Sequence, residues 1–268
     1  MDAPLHGKRR RPRLPAALHG SRVHSAPDRV ALKGVGAVLL DIEGTTTPIE
    51  FVHQTLFGYA RARVREFLER HWNDPEVRAD VARLQAEHAA ESSLPAPPPW
   101  HDDTAAVAAY VHWLMERDRK STGLKSLQGK IWEEGYRVGD LRGEVYPDVP
   151  PALERWRRQG IDIAIFSSGS VQAQRSLFTS TAAGDLTRFI RAYFDTTTGP
   201  KTAPQSYARI AAAIERSPSE VLFLSDVGAE LDAALKAGMR TALCVRTPGS
   251  APSTGAHPVI HALDQLPG

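Results

Sequence analysis

The sequence predicts an α/β fold: a parallel sheet with helices on both faces, carrying a helical segment inserted after the first core strand. Three observations predict it. The short apolar run Gly36-Ala-Val-Leu-Leu40 stops at Asp41 and is followed by Gly44, as a strand buried on both faces does when it meets a functional loop. From about residue 150 onward, apolar runs alternate with helix-length stretches, the rhythm of strand–helix–strand units. Between these regions, residues 51–140 read as helices.

Residues 1–34 read as a basic flexible N-terminal tail. They carry eight Lys or Arg against two Asp, a local balance of +6, which leaves the rest of the chain at −4. A nucleic-acid reading would rest on Lys8, Arg9, Arg10, Arg11 and Arg13 alone. A charge block of this kind is usually a solvated leader, or here an over-long gene start. The first strand follows at 36–40. From Phe51 to about Ala90, Phe51, Leu56, Tyr59, Val64, Phe67 and Leu68 recur at helical spacing, until the proline-rich stretch Leu94–Pro99 removes donors and blocks helix. A second helical region covers about 104–119, with Val107, Tyr110, Val111 and Leu114 on one face. A third covers about 126–137.

Past Tyr146-Pro-Asp-Val-Pro-Pro151, a helix over about 150–158 ends near Gly160. Strands are expected at 161–166, 192–194, 221–224 and 241–245. Helices are expected at 171–179, 203–216 and 229–237, the last closed by Gly238. The domain reading is therefore a tail (1–34), a catalytic core (35–50 and 141–268) and a helical cap (51–140).

Composition narrows the class. With 268 residues, 42% hydrophobic and 24% charged, the chain supports one large domain or one domain with a substantial insertion, and not wholesale disorder. The single cysteine, Cys244, excludes an intramolecular disulfide and a thiolate zinc site. Set in the apolar run TALCV, it reads as a small core residue of a protein in a reducing cytoplasm. The ten histidines show no metal-ligand spacing. No apolar run reaches the ~18 residues of a membrane span, and residues 1–34 lack the apolar core of a signal peptide. Neither nucleic acid nor membrane is an expected partner, and the absence of a heptad seam favours a monomer.

Ligands of an open parallel sheet bind at the carboxyl ends of its strands. There the sequence places Asp41-Ile-Glu43-Gly-Thr-Thr-Thr47, Ser167-Ser-Gly-Ser170 and Ser225-Asp226, with Glu230 one helical turn on and Gly199-Pro-Lys201 before a helix. Carboxylates this close stay ionised only around a cation, and oxygen ligands without His or Cys select Mg2+. Hydroxyls, glycine-freed amides and a lysine suit a phosphate. A carboxylate beside both can attack phosphorus to form an aspartyl phosphate, and a second acid two residues on can protonate the leaving oxygen and then activate water. Lys201-Thr202 lacks the glycine pattern of a P-loop.

This motif order resembles the haloacid dehalogenase-like superfamily. Its usual first motif, Asp-x-Asp-x-Thr, is here Asp41-x-Glu43-x-Thr45. That glutamate departs from the superfamily pattern and looks like the enolase-phosphatases of methionine salvage. So do the stretches from Asp41 to Glu50 (DIEGTTTPIE), Ile131 to Arg137 (IWEEGYR), Val145 to Leu153, Phe166 to Gln174, Tyr193 to Lys201 and Phe223 to Ala234. The likeness runs from about residue 36 to the C-terminus. It implies a cytoplasmic hydrolase with one Mg2+ per subunit that enolises 2,3-diketo-5-methylthiopentyl 1-phosphate, then hydrolyses the phosphate to give the acireductone. It implies Asp41 as nucleophile and metal ligand, and Glu43 as acid/base whose backbone carbonyl meets the metal. Asp226 is implied as the third protein ligand, Ser167 and Ser168 as phosphoryl holders, and Lys201 as a substrate-binding charge that neutralises the phosphoryl group and steadies Asp41. Glu230 would orient metal-bound water or Lys201, or form only a helix-surface pair. The enolisation base stays open between Glu43 and acids of the insertion. The cap would read the methylthio end, with Trp132, Glu133, Glu134 and Tyr136 either facing substrate or packing cap helices. Ser168 or Ser170 would cap the helix at 171, and His53 reads as structural.

Other readings compete. The nearest is a phosphatase or phosphomutase of the same superfamily acting on another small phosphate ester. A dehalogenase would leave Glu43 and Asp226 unexplained. A phospho-accepting signalling domain would be about half the length, with its acidic pair before a phosphorylated Asp on a later strand, and would need an open face where this chain carries a lid.

Overall fold

The computed structural model describes residues 32–247 and 257–266. Most of the basic tail, residues 1–31, lies outside the described residues. Of its last three, Leu32 is buried in the core, and the Lys33 carbonyl accepts from Arg240 Nη1 at 2.8 Å.

Among the described residues, six parallel strands form one sheet: β1 (Ala37–Leu40), β2 (Asp162–Phe166), β3 (Ala192–Phe194), β4 (Val221–Ser225), β5 (Arg240–Cys244) and β6 (Val259–Ile260), in the order β3-β2-β1-β4-β5-β6. Helices cover both faces: α5 (Val149–Arg158), α6 (Val171–Thr179), α7 (Pro204–Ala213) and α8 (Gly228–Lys236). Alternate strand residues feed two cores. Val38, Leu40, Ile163, Ile165, Leu222 and Leu224 pack with Trp156 of α5 and Phe178 of α6. Ala37, Leu39, Phe166 and Phe223 pack with Tyr207 of α7 and Leu231 of α8. Burial on both faces is why these strands read as unbroken apolar runs rather than alternations. β6 is a sixth strand that periodicity missed, because it has two residues and is defined only by its pairing, Cys244 with Ile260.

β1 is central. Leu40 pairs with Ile165 on one side and Leu224 on the other. The residues just past these positions, Asp41, Ser167 and Ser225-Asp226, are thereby brought to one edge.

Between β1 and β2 lie α1 (Phe57–His71), α2 (Pro75–Ala89), α3 (Thr104–Glu116) and α4 (Thr122–Val138), preceded by a π-helical stretch at Phe51–Leu56. The helical reading of 51–90 divides at Asp74-Pro75. Asp74 caps α2, accepting from Glu76 N at 2.8 Å, and proline at the first helical position needs no partner for its missing N–H. α4 begins four residues before its sequence reading. Ser121 caps it, accepting from Leu124 N at 2.9 Å, and the Thr-Gly that resembles a turn is helical. A Cβ on Gly123 would stand 2.8 Å from the Leu84 side chain, so glycine lets α4 approach α2. These helices share a core of their own that includes Val64, Leu68, Leu84, Tyr110, Leu114 and Leu127.

Candidate active site

The segment 41–47 is built around one carbonyl. Ile42 O accepts from the amides of Thr45, Thr46 and Thr47 at 3.2, 2.9 and 2.9 Å, while Asp41 N continues the sheet by donating to Leu224 O at 3.0 Å. Thr46 Oγ1 donates back to Asp41 O at 3.1 Å. Gly44 adopts φ +66°, and a Cβ there would lie 2.2 Å from Asp226 Oδ2. Glycine therefore serves twice: it takes the left-handed backbone at no Cβ cost and admits the Asp226 carboxylate against the loop.

Asp41 is 4% exposed. Its Oδ1 accepts from Ile42 N at 2.7 Å and from Lys201 Nζ at 2.7 Å. Its Oδ2 faces the Ser225 hydroxyl at 3.3 Å. Lys201 also pairs with Glu230 Oε2 at 2.7 Å, and Ser225 Oγ lies 3.1 Å from that same oxygen. Lys201 is held from behind, where its carbonyl accepts from Tyr207 OH at 2.7 Å. Glu230 is thus no helix-surface pair. It is buried and shares both Lys201 and Ser225 with Asp41.

The electrostatics are one-sided. Burial, then the Asp41 charge, pushes the Asp226 carboxyl up to about 6. Burial and Asp41 also raise Glu43, and Lys201 and His53 only partly offset this. Glu230 is raised by the same two causes. Burial works to lower Lys201, but Asp41 and Glu230 outweigh it and raise its pKa. Acids here outnumber the cations that face them, a balance that a divalent cation would restore. Among the described residues, no group of three His, Cys, Asp or Glu side chains converges to hold a metal. A magnesium here would rely on the Asp41 and Asp226 carboxylates, the Glu43 main-chain carbonyl and water, which suits an ion that keeps part of its hydration shell.

Ser167 is buried. Its amide donates to Phe194 O at 3.2 Å, and its hydroxyl accepts from Gly169 N at 3.2 Å. Ser168 is exposed. Ser170 is the helix cap, accepting from Ala173 N at 3.2 Å. Gln174, a residue sequence reasoning gave no role, ties this turn down by donating to Gly169 O at 2.8 Å and Phe194 O at 2.9 Å. Ser225 was placed at its strand end but likewise given no role, although a hydroxyl beside an acid was the available signal.

The helical residues divide. Trp132 Nε1 donates to Leu56 O at 2.7 Å, and its ring meets Phe57. Glu134 pairs with Arg70 and with His71 at 2.9 Å. Tyr136 is buried in the sheet-side core. Glu133 is exposed and accepts from Gln172 of α6 at 2.9 Å, and Lys125 reaches Thr196 at 3.3 Å, so α4 faces the strand-end turns. His53 is exposed and meets Phe57 edge-on. Among the described residues, no helix is long and apolar enough to cross a membrane.

A family model described as haloacid dehalogenase-like hydrolase matches residues 35–238. The chain is 50% identical to "Enolase-phosphatase E1" of Synechococcus elongatus, over 87% of this chain and 98% of that protein. It is 48% identical to the protein of the same name in Sorangium cellulosum, over 86% and 96%. Among solved structures, the UTR4 protein of Saccharomyces cerevisiae is 35% identical with a TM-score of 0.70, covering 87% of this chain and all of that one. A HAD phosphatase from Thermococcus onnurineus, 21% identical with a TM-score of 0.53 over 86% and 95%, shares the fold.

Proposed function

The chain belongs to the haloacid dehalogenase-like hydrolases, within the enolase-phosphatase E1 family, and from that premise we propose how its residues act. The activity is that of the methionine-salvage enolase-phosphatase: enolisation of 2,3-diketo-5-methylthiopentyl 1-phosphate, then hydrolysis to acireductone and phosphate. The observation that carries the residue assignment is the Asp41 carboxylate, gripped at Oδ1 by Lys201 and Ile42 N and faced at Oδ2 by one hydroxyl.

Asp41, Asp226 and the Glu43 carbonyl would hold Mg2+. When bound, the ion supplies Lewis-acid polarisation of phosphoryl and carbonyl oxygens. Asp41 attacks phosphorus through Oδ2, the less encumbered oxygen, forming an aspartyl phosphate as the ester oxygen departs. Glu43, raised by burial and by Asp41, gives a proton to that oxygen. The resulting carboxylate then takes a proton from the water that hydrolyses the acyl phosphate. Lys201 offsets charge on Asp41 and on the transferring group. Ser167 and Ser168 receive the phosphoryl oxygens, Ser168 from its exposed position. The unit formed by residues 51–140 covers the site as a cap and excludes water. Glu43 is also a candidate for the enolisation base.

The test supplies the diketo ester with Mg2+ and follows enol absorbance and phosphate release together, with Asp41→Asn alongside. Both signals in wild type, and no phosphate from the variant, support the scheme. Phosphate from other esters only would reassign the substrate within the superfamily. No phosphate from any ester would end the hydrolase reading.

A further inference from the structure

Arg246 lies just past β5, outside every motif that marks the site, yet its side chain is only 7% exposed. Its Nε donates to Thr45 O at 2.9 Å, and Nη2 donates to the same carbonyl. Nη1 donates to Asp148 Oδ2 at 2.7 Å and faces His261 O at 3.4 Å. The guanidinium lies over the Tyr146 ring, 4.3 Å from its centre, and Tyr146 N donates to Thr46 O at 2.9 Å. Two neighbouring carbonyls of the catalytic loop are thus tied to one cluster.

Three features separate this cluster from ordinary packing. Among the described residues, the Thr45 and Thr47 hydroxyls are buried without partners, so the side chains of those two residues do not anchor the loop there. A buried arginine carries a desolvation cost that an apolar residue of like volume avoids, and its rigid fork fixes an acceptor in a way a lysine cannot. Its donors are also directed at protein acceptors, so it is not waiting for an anion. Asp148 joins the clamp to the C-terminal segment by accepting from Leu263 N at 2.6 Å.

We propose that Arg246 is a positioning residue for the catalytic loop. By clamping the Thr45 carbonyl it fixes the spacing of Asp41, the Glu43 carbonyl and the Asp226 face of Gly44. This deepens the reading above and rests on it for its catalytic part. Arg155 supplies the control, since it donates to Leu263 O at 2.9 Å and tethers the same C-terminal segment without touching the loop.

The experiment compares Arg246→Gln with Arg155→Ala by hydrogen exchange of peptide 41–50 in metal-free protein, by calorimetric Mg2+ titration, and by kcat and KM. Arg246→Gln should speed loop exchange and weaken Mg2+ binding about tenfold each, and lower kcat about a hundredfold with KM within about threefold, as misplacement of a preorganised group does. Arg155→Ala should lower the melting temperature and change all three readouts much less than Arg246→Gln does, since it loosens the C-terminal segment but makes no bond to the loop. Loop exchange and Mg2+ affinity unchanged in Arg246→Gln would overturn the proposal, as would equal effects in both variants. If Arg246→Gln does not fold, Arg246→Lys, which keeps the charge facing Asp148 but loses the fork, is read by the same criteria. Loop exchange needs neither metal nor substrate, so it reports on the clamp even if the diketo ester is not turned over.

Discussion

The Lys201 ammonium stands 2.7 Å from Asp41 Oδ1, inside a site where burial alone would favour its neutral form. The lysine stays charged because Asp41 and Glu230 both face it, and the two acids in turn depend on it. Lys201→Met should lower phosphate release by about a hundredfold or more, the scale of losing one preorganised electrostatic contact. It should also destabilise the metal-free protein by about 3 kcal/mol, since it strands buried charge. Added Mg2+ should recover part of that loss. Thermal melts with Mg2+ and with chelator check both effects.

Stability in chelator should fall as pH rises. The Asp226 carboxyl sits near 6 in the folded chain against an ordinary 3.8, so between those values the native state holds the proton that the unfolded chain has released. Stability then declines with pH, and the decline is complete above about 6. Glu43 and Glu230 are shifted in the same direction and add to it. With saturating Mg2+ the slope should flatten, because the ion favours the ionised acids. Melting temperature against pH from 4 to 8, in chelator and in Mg2+, reads both slopes. A metal-free slope of opposite sign would contradict the charge balance described.

Gly44→Ala should be far more damaging than an added methyl suggests. The left-handed backbone costs alanine about 1 kcal/mol, and the new Cβ would collide with the Asp226 carboxylate. Weaker Mg2+ binding by calorimetry and a kcat lower by about a hundredfold are expected, again from misplacement of a reacting group.

Trp132→Ala separates packing from substrate contact in the helical unit. Its indole donates to Leu56 O and its ring meets Phe57, so the expected effect is a stability loss of about 3 kcal/mol, the low end for truncating a buried tryptophan. KM should stay within about threefold, since the lost contacts are internal. Chemical denaturation and steady-state kinetics give the two values.

Much of this was legible in the sequence because both-face burial leaves a plain signature. β1, β2 and β4 are apolar runs stopped by polar residues, and the stops line the candidate site. Asp41, Ser167, Lys201 and Asp226 could be placed at one edge because the strands of a parallel sheet share their carboxyl ends. What could not be read depends on contacts between distant segments. β6 exists only through its pairing with β5. Ser225 gains its part from reaching Asp41 and Glu230 together. Arg246 lies 201 residues from the carbonyl it holds, and no local pattern marks a side chain whose role is to brace a loop from behind. Trp132 and Glu134 were ambiguous for the same reason, since their partners Leu56 and Arg70 lie on other helices.

The central place of β1 has a consequence for durability. Leu40 is bonded into strands on both sides, and the aspartate that follows it is pinned to β4 by its own amide. Edge strands of two and three residues can fray while this centre holds, since local opening costs least at the periphery. A protease attacking the folded chain would thus nick the margins long before it reached the bond after Leu40, and a preparation trimmed at its rim would keep Asp41 in place.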